Sequence, residues 1–252
     1  MTRIDPYYRS MPLISIVVPT YNEAQTVPVL ARRLKGALGE GEWELVVVDD
    51  GSPDGTADIA AGLAPEVPVR VVRRPGKLGL ASAVMAGWAE ARGDVLVVMD
   101  ADLSHPPESV PALVEALRTG ADMAVGSRYV RGGGVVDWPL RRRIVSRVAC
   151  LMGNALVPVR DATSGFFAVR RAVIEGVRLN PIGFKIGFEV IARGRHRRVI
   201  EVPYTFRDRE HGASKFGTRE ILNYGVQLLQ VARDRVLGRL RVSPDVPPAT
   251  RP

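Results

Sequence analysis

The sequence predicts an α/β fold built on a mostly parallel sheet flanked by helices. Two observations predict it. Apolar runs alternate with helical periods through the first half of the chain, and those runs are continuously apolar, as in strands buried on both faces. One of them, Val95-Leu96-Val97-Val98-Met99, stops abruptly at two carboxylates one residue apart, Asp100 and Asp102. The carboxyl edge of an open α/β sheet is where such folds hold ligands.

Taken in order, Leu13 to Val18 reads as a strand, Ala24 to Leu38 as a helix, and Leu45 to Val48 as a strand ending at Asp49-Asp50. Thr56 to Leu63 is helical, Val69 to Val72 a strand, Leu80 to Ala91 a helix and Val95 to Met99 the next strand. The prolines of Pro107 to Arg118 suit the first turn of a helix, and Met123 to Val125 is a further strand. Right-handed crossovers place these strands in one parallel, Rossmann-like sheet with the loops after each strand on one edge. After Ser127 the alternation breaks down. There follow an arginine-rich stretch from Arg128 to Arg147, a helical Ile144 to Leu156, a strand-like Phe166 to Val169 and a long amphipathic Arg219 to Leu240. Residues 1–10 and 242–252 read as flexible tails, the second proline-rich and without apolar period. Between them lie one domain over 11–217 and an amphipathic helix over 218–241.

A chain of 252 residues with one cysteine has room for a sizeable core and no intramolecular disulfide framework. Cys150 reads as a small core residue. No stretch approaches the roughly 20 apolar residues that cross a bilayer, and Met1 to Met11 holds no signal core. The expectation is a cytoplasmic protein, free or peripheral on the inner face of the membrane. A formal net charge of +8, with arginine far exceeding lysine, calls for an anionic partner. Clustered aromatics and recognised modules of nucleic-acid readers are missing, so no nucleic acid is expected.

The first βα junction, Pro19-Thr20-Tyr21-Asn22-Glu23, lacks the G-x-G-x-x-G that would bring backbone amides to a pyrophosphate. A diphosphate must then be held elsewhere, and a hard divalent cation on the oxygens of Asp100 and Asp102 is the evident candidate. Helix capping explains Asn22 and Glu23 equally well. The second junction, Asp49-Asp50-Gly51-Ser52-Pro53-Asp54-Gly55-Thr56, is acidic too. A carboxylate there accepts hydrogen bonds from a base edge or a ribose, or the segment is a tight turn with Asp54 or Thr56 capping the next helix.

Val18-Pro19-Thr20-Tyr21-Asn22-Glu23, Val48-Asp49-Asp50-Gly51-Ser52, Gly76-Lys77-Leu78-Gly79-Leu80, Asp100-Ala101-Asp102-Leu103-Ser104-His105-Pro106-Pro107 and Gly126-Ser127-Arg128-Tyr129 resemble the ordered motifs of family 2 glycosyltransferases with a GT-A fold. The likeness runs from about Leu13 to about Lys215. It points to the polyprenol (dolichol) phosphate mannosyltransferase branch through Asp161-Ala162-Thr163-Ser164-Gly165-Phe166 and Val202-Pro203-Tyr204-Thr205-Phe206-Arg207-Asp208-Arg209, followed by Gly212-Ala213-Ser214-Lys215.

The resemblance implies a GT-A catalytic domain with a C-terminal acceptor-side region and an amphipathic helix. Asp100 and Asp102 would bind Mg2+ or Mn2+ on the donor diphosphate, with Ser104 in the position that completes the shell, directly or through water. Many relatives carry glutamine there. Pro19, Tyr21, Glu23, Asp50, Asp100 and Ala101 would surround the nucleotide, and Lys77 lies in the loop that covers it. Arg128, Arg142, Arg209 and Lys215 would converge on the acceptor phosphate and the donor diphosphate, with Ser146 one helical turn beyond Arg142. Asp102, Arg128, Arg142 and Arg209 are the catalytic candidates. His105 and His211 read as structural or surface residues, and the run Arg193, Arg195, Arg197, Arg198 as a solvated or anion-facing surface.

The implied reaction is a metal-dependent, inverting transfer of a sugar to a polyprenyl phosphate, with GDP-mannose the favoured donor. A UDP-sugar transferase acting on a polyprenyl phosphate or a small phosphorylated acceptor is the alternative. A non-catalytic nucleotide- or nucleic-acid-binding relative is more distant, since Asp102 and Arg128 are both present. Two apolar stripes stay open between core and lipid: Ile144, Val145, Val148, Leu151 and Met152; and Ile221, Leu222, Val226, Leu229 and Val236, with Arg233 and Arg235 opposite.

Overall fold

The computed structural model describes residues 13–180, 182, 185–208 and 218–240, with the backbone alone at 218, 219 and 221. Both expected tails, and with them Arg209, His211, Lys215 and Arg241, lie outside the described residues.

The first half follows the predicted alternation. It runs β1 (Ile14–Thr20), α1 (Thr26–Leu38), β2 (Trp43–Asp49), α2 (Thr56–Gly62), β3 (Val69–Arg73), α3 (Leu80–Glu90) and β4 (Val95–Val98), then a 3-10 turn at Pro107–Ser109 leading into α4 (Val110–Arg118), and β5 (Met123–Ser127). The later part holds β6 (Gly134–Val135), α5 (Leu140–Asn154), β7 (Phe167–Arg170), α6 (Arg171–Ile174), α7 (Ile186–Arg193), β8 (Val199–Pro203), β9 (Thr205–Phe206) and α8 (Thr218–Val236).

Seven strands form one sheet in the order β3-β2-β1-β4-β7-β5-β8, and β6 pairs with β9 in a small parallel ribbon. The predicted strands share one sense, but β4 and β5 are not neighbours. β7 lies between them, antiparallel to both, with Phe167 opposite Val98 and Val125. The chain leaves β5 at the carboxyl edge, travels through α5, and re-enters the sheet from that same edge, so β7 must run the opposite way. The loop that precedes β7 therefore meets the loops that follow β4 and β5.

β1 and β2 are buried along nearly their whole length. One apolar layer lies under α1, α2 and α4 and a second under α3, α7 and α8. α3 lies close on the sheet because Gly87 is bare; a Cβ there would collide with Val17.

The later part departs most from expectation. α5 starts at Leu140, not Ile144: arginine is a good helix former, and the Pro139 carbonyl accepts the first helical N–H groups, from Arg142 and Arg143. α8 ends at Val236, short of Leu240, with Gly238 at φ 65° beyond it, the left-handed position that closes helices. α7 and β8 were not anticipated, because their apolar periods are short and are separated by the arginine-rich stretch over 193–198.

Candidate active site

The carboxyl ends of β1 and β2 are laced together. Asn22, in the left-handed region at φ 61°, donates its N–H to Ser52 Oγ at 3.0 Å, Glu23 N–H donates to Thr56 Oγ1 at 2.9 Å, and Ala24 N–H to Asp54 Oδ2 at 3.1 Å. The Glu23 carboxylate accepts the Thr26 hydroxyl at 2.7 Å, so it also steadies the first turn of α1. Asp49 is spent on its own turn, accepting Ser52 N–H at 2.9 Å and Thr20 Oγ1 at 3.1 Å. Asp50 points the other way. It is buried, pairs with Arg74 at 2.8 Å and accepts Leu78 N–H at 3.2 Å. Burial pushes its carboxyl above the ordinary value, against the pull of Arg74.

Asp50 thereby draws the loop after β3 over the site. In that loop Lys77 Nζ stands 4.5 Å from the centre of the Tyr21 ring. Tyr21, Glu23, Asp50 and Lys77 are thus gathered on one edge, with Pro19 near the carboxyl end of β1. Arg74 was not among the sequence candidates. Its signal was position, a second arginine directly after a strand end.

The β4 edge carries the carboxylate pair. The first turn after β4 is held by His105, whose Nδ1 accepts Asp100 N–H at 3.0 Å, while Asp102 Oδ1 accepts Ser104 N–H at 3.0 Å. Leu103 takes φ 61° between them. His105 is buried and stacks on Phe166 at 5.0 Å, with Tyr204 and Phe206 edge-on. Burial holds its pKa below 6.5 despite Asp100 and Asp102 nearby. The histidine is a neutral strut, a structural role of the kind expected for it.

The carboxylate turn has the chemistry to seat a hard cation. Ala101 is buried beneath it and Asp100 is partly open to solvent. Ser104 Oγ is buried with no hydrogen-bond partner among the described residues, an uncommon state that a cation or its water would relieve. Oxygen donors of this kind suit Mg2+ or Mn2+. Among the described residues no group of three His, Cys, Asp or Glu side chains gathers for a metal, so the remaining ligands would come from a bound diphosphate and water.

Arg128 follows β5 and is almost fully enclosed. Its Nε donates to Asp161 Oδ2 at 2.7 Å, its Nη2 to Asp161 Oδ1 at 2.6 Å and to Thr163 Oγ1 at 2.9 Å, and its backbone N–H also meets Asp161. Burial would raise the Asp161 carboxyl, but Arg128 outweighs it and holds the group below its ordinary 3.8. Glu201 on β8 fixes the loop by accepting the N–H groups of Arg160 and Asp161 at 2.7 and 3.0 Å. Arg128 was expected to grip phosphate; this much of its fork is committed to Asp161. Cys150 packs against the same pair, its thiol pushed up to about 11 by burial, and is the inert core residue expected.

Arg142 and Ser146 lie on one side of α5. Arg142 pairs with Asp208 at 2.6 Å and stacks over Trp138 at 4.2 Å. Ser146 Oγ accepts the Tyr129 hydroxyl at 2.7 Å, leaving its own proton to be directed elsewhere. Trp138 packs on Phe206, and Phe206 on His105. One aromatic cluster therefore spans from the carboxylate turn to Arg142. Lys185, which sequence reasoning passed over, enters from the far side with Nζ on the Thr163 carbonyl at 2.8 Å, its pKa drawn down to about 8 by burial and by Arg128.

The model of glycosyl transferase family 2 matches residues 15–178. A dolichol-phosphate mannosyltransferase of Pyrococcus furiosus is 48% identical over 215 residues, 84% of this chain; the chain spans 61% of that relative's length. A polyprenol monophosphomannose synthase of Mycolicibacterium smegmatis is 40% identical over 89% of this chain and 88% of its own. Among solved structures, glucosyl-3-phosphoglycerate synthase of Mycobacterium tuberculosis with Mn2+, UDP-glucose and phosphoglyceric acid superposes with TM-score 0.62 at 24% identity, covering 89% of this chain and 79% of that one. A mannosyltransferase of Pyrobaculum calidifontis with GDP-Man and Mn2+ gives TM-score 0.60 at 22% identity, over 95% and 67%. These two likenesses show the fold, which is GT-A. With the ordered motifs, the site edge and the matched family model in agreement, the chain belongs to glycosyl transferase family 2.

Proposed function

We propose that the protein transfers mannose from GDP-mannose to the phosphate of a polyprenyl phosphate, with inversion at the sugar. The observation that carries this reading is the aromatic bridge: His105, Phe206 and Trp138 join the Asp100–Asp102 turn to Arg142, which supports a reading in which carboxylates suited to a cation and a guanidinium suited to a phosphate serve one site. The names of the two similar proteins, a dolichol-phosphate mannosyltransferase and a polyprenol monophosphomannose synthase, support the acceptor class and the sugar. The GDP-Man bound to one structural neighbour fits the same donor.

Tyr21, Asp50 and Lys77 hold the nucleoside end of the donor, Asp50 as acceptor for N–H or O–H edges and Lys77 as a cationic cover. Asp100, Asp102 and Ser104 hold Mg2+ or Mn2+, which when bound supplies Lewis-acid stabilisation of the departing nucleoside diphosphate. Arg142, with Ser146 beside it, orients the acceptor phosphate; a planar guanidinium binds two of its oxygens at once. A phosphate oxygen then forms the bond to C1 of the sugar as the bond from C1 to the diphosphate oxygen breaks. That oxygen is already anionic near neutral pH, so no strong base is required. His105 would be a poor one, with Nδ1 engaged by Asp100 N–H. Arg128 acts through position: neutralised by Asp161, it fixes the loop before β7 and contributes a short-range field. Arg209 and Lys215 belong to the same acceptor reading.

The test is a radiolabel transfer assay with purified protein, Mg2+ or Mn2+, and a polyprenyl phosphate, comparing GDP-mannose with UDP-glucose. Label appearing in the lipid fraction only from GDP-mannose is the expected result. Transfer from the UDP-sugar alone, or to a small phosphorylated acid and not to the lipid, would replace this reading with the alternative.

A further inference from the structure

α5 is two-sided. Arg142, Ser146, Cys150 and Gly153 follow one another at helical spacing along its inward side. Ile144, Val148 and Leu151 stand in solvent, so the stripe that the sequence left open between core and lipid is surface. α8 is divided likewise, with Tyr224, Leu228 and Val231 buried and Leu229 and Val236 exposed. No helix among the described residues is long and apolar enough to cross a membrane. On the inward side of α5, Ser146 meets the residue after Arg128. Tyr129 reaches across from the end of β5, and its hydroxyl stands 2.7 Å from Ser146 Oγ. The ring is half-buried, with the guanidinium of Arg147 over it at 4.2 Å and that of Arg128 at 5.2 Å. The Tyr129 N–H is fixed on Ser127 Oγ at 3.3 Å.

The sense of the hydrogen bond follows from its two oxygens. A phenol is far more acidic than an aliphatic hydroxyl, and its lone pairs are shared with the ring, so the tyrosine is the better donor and the serine oxygen the better acceptor. Burial holds the Tyr129 pKa above its ordinary 10, against the pull of Ser146 and Arg128, so the proton is in place at neutral pH. Once Ser146 Oγ accepts from Tyr129, its own proton must turn elsewhere. In the middle of a helix a serine commonly donates back to the carbonyl four residues earlier; among the described residues Ser146 makes no such bond to Arg142. An anionic phosphate oxygen only accepts, and it accepts best from a hydroxyl already polarised by a hydrogen bond to its own oxygen. A serine whose proton turned toward Tyr129 would instead present a lone pair to the phosphate.

We propose that Tyr129 is a positioning residue for the acceptor phosphate, acting through Ser146: the phenol donates to Ser146 Oγ and so turns the serine proton toward the phosphate. The inference rests on the acceptor reading above, in which Ser146 stands beside Arg142 at the phosphate, and deepens it. Arg142 supplies the charge; Tyr129 sets the polarity of the neutral group next to it.

The experiment is a double-mutant cycle in the full chain. Tyr129→Phe removes the donor and keeps the ring under Arg128 and Arg147. The probe is a short, water-soluble isoprenyl phosphate, followed by initial rates and, without turnover, by calorimetric titration into protein loaded with GDP and Mn2+. Tyr129→Phe should raise the acceptor KM and weaken the titrated affinity roughly two- to tenfold, the range of one neutral hydrogen bond, with the donor KM and the unfolding midpoint close to the wild type. Ser146→Ala should do at least as much. Adding Tyr129→Phe to Ser146→Ala should then change KM and affinity less than about twofold, because the group through which the phenol acts is gone. An equal loss in both backgrounds overturns the inference, since the phenol would act by another route. So does a Tyr129→Phe variant that matches the wild type, or one that weakens donor and acceptor alike with a lowered unfolding midpoint, the mark of a structural contact alone. If Arg142→Ala raises the acceptor KM while Tyr129→Phe does not, the acceptor reading stands and only this inference falls. If Arg142→Ala and Ser146→Ala both leave acceptor KM and affinity unchanged, the phosphate is not held by α5, and the acceptor reading falls together with the role of Tyr129.

Discussion

The two halves of the site edge are held by different physics. On the proposed donor side, three carboxylates find a partner within their own loops: Asp49 in Ser52, Asp54 in Thr56, Asp102 in Ser104. These are turn and cap interactions between residues two or three apart, formed wherever the local backbone forms. On the acceptor side the charged groups find partners far along the chain, Arg128 with Asp161 at a separation of 33 residues and Arg142 with Asp208 at 66. Aromatic rings brace them as well. The proposed donor side starts from locally coded turns, which hydrogen bonds across β1, β2 and the loop after β3 then lace together; the proposed acceptor side has no such local start and exists only once the sheet has closed.

The comparison is sharpest where it concerns chemistry against stability. Asp102→Asn should lower kcat by more than about 100-fold, beyond the 10- to 100-fold range typical of outer-shell partners of a metal, while the unfolding midpoint moves little, because asparagine retains an oxygen for Ser104 N–H. Excess EDTA should have the same effect on turnover. A full rate in EDTA would remove the cation from the donor side.

Asp161→Asn should do the opposite, acting first on stability. It leaves Arg128 enclosed without a counter-charge, a loss of about 3 to 5 kcal/mol, read by urea unfolding at pH 7. The pH dependence has a definite sign. The folded carboxyl lies below its ordinary 3.8, so its contribution is complete above that value and is lost as pH falls through the folded pKa. The gap between wild type and variant should therefore be full at neutral pH and close in acid. A gap independent of pH would mean that the pair is held by packing alone.

Arg142→Ala should raise the acceptor KM with little change in the donor KM. A charge-assisted contact of this kind contributes roughly 1.5 to 3 kcal/mol, or about 10- to 150-fold in kcat/KM for the acceptor. A defect confined to the donor would place Arg142 on the wrong half. The smallest effect is expected from Lys77→Gln. A cation over an aromatic face contributes about 0.5 to 1 kcal/mol at an open site, and steady-state kinetics should show a two- to fivefold rise in donor KM, by the same rough conversion, with the acceptor KM unchanged.

Legibility in the sequence follows the same division. The alternation through β5 and the Asp100–Asp102 edge were readable because continuous apolar runs and turn carboxylates are properties of adjacent residues. Lys77 and Tyr21 were named only as members of motifs; that they meet at 4.5 Å depends on Asp50 tethering the loop after β3. β8 and α7 escaped notice because their apolar periods are short and an arginine-rich stretch lies between them. Arg74 and Lys185 escaped for another reason: a lone basic residue near a strand end or a helix start has no local mark of burial.

By itself the sequence determined the mostly parallel α/β sheet, its site edge, the carboxylate pair at Asp100 and Asp102 and, through its ordered motifs, the family. Hydrophobic period and loop chemistry act over a few residues and need no partner elsewhere in the chain. Only the tertiary structure decided that Arg128 is bound to Asp161, that His105 is a buried strut, and that the α5 stripe faces outward. Each depends on β7 entering antiparallel between β4 and β5, which brings residues 161–166 against 128 and 105 and leaves α5 with one side on the site and the other in solvent.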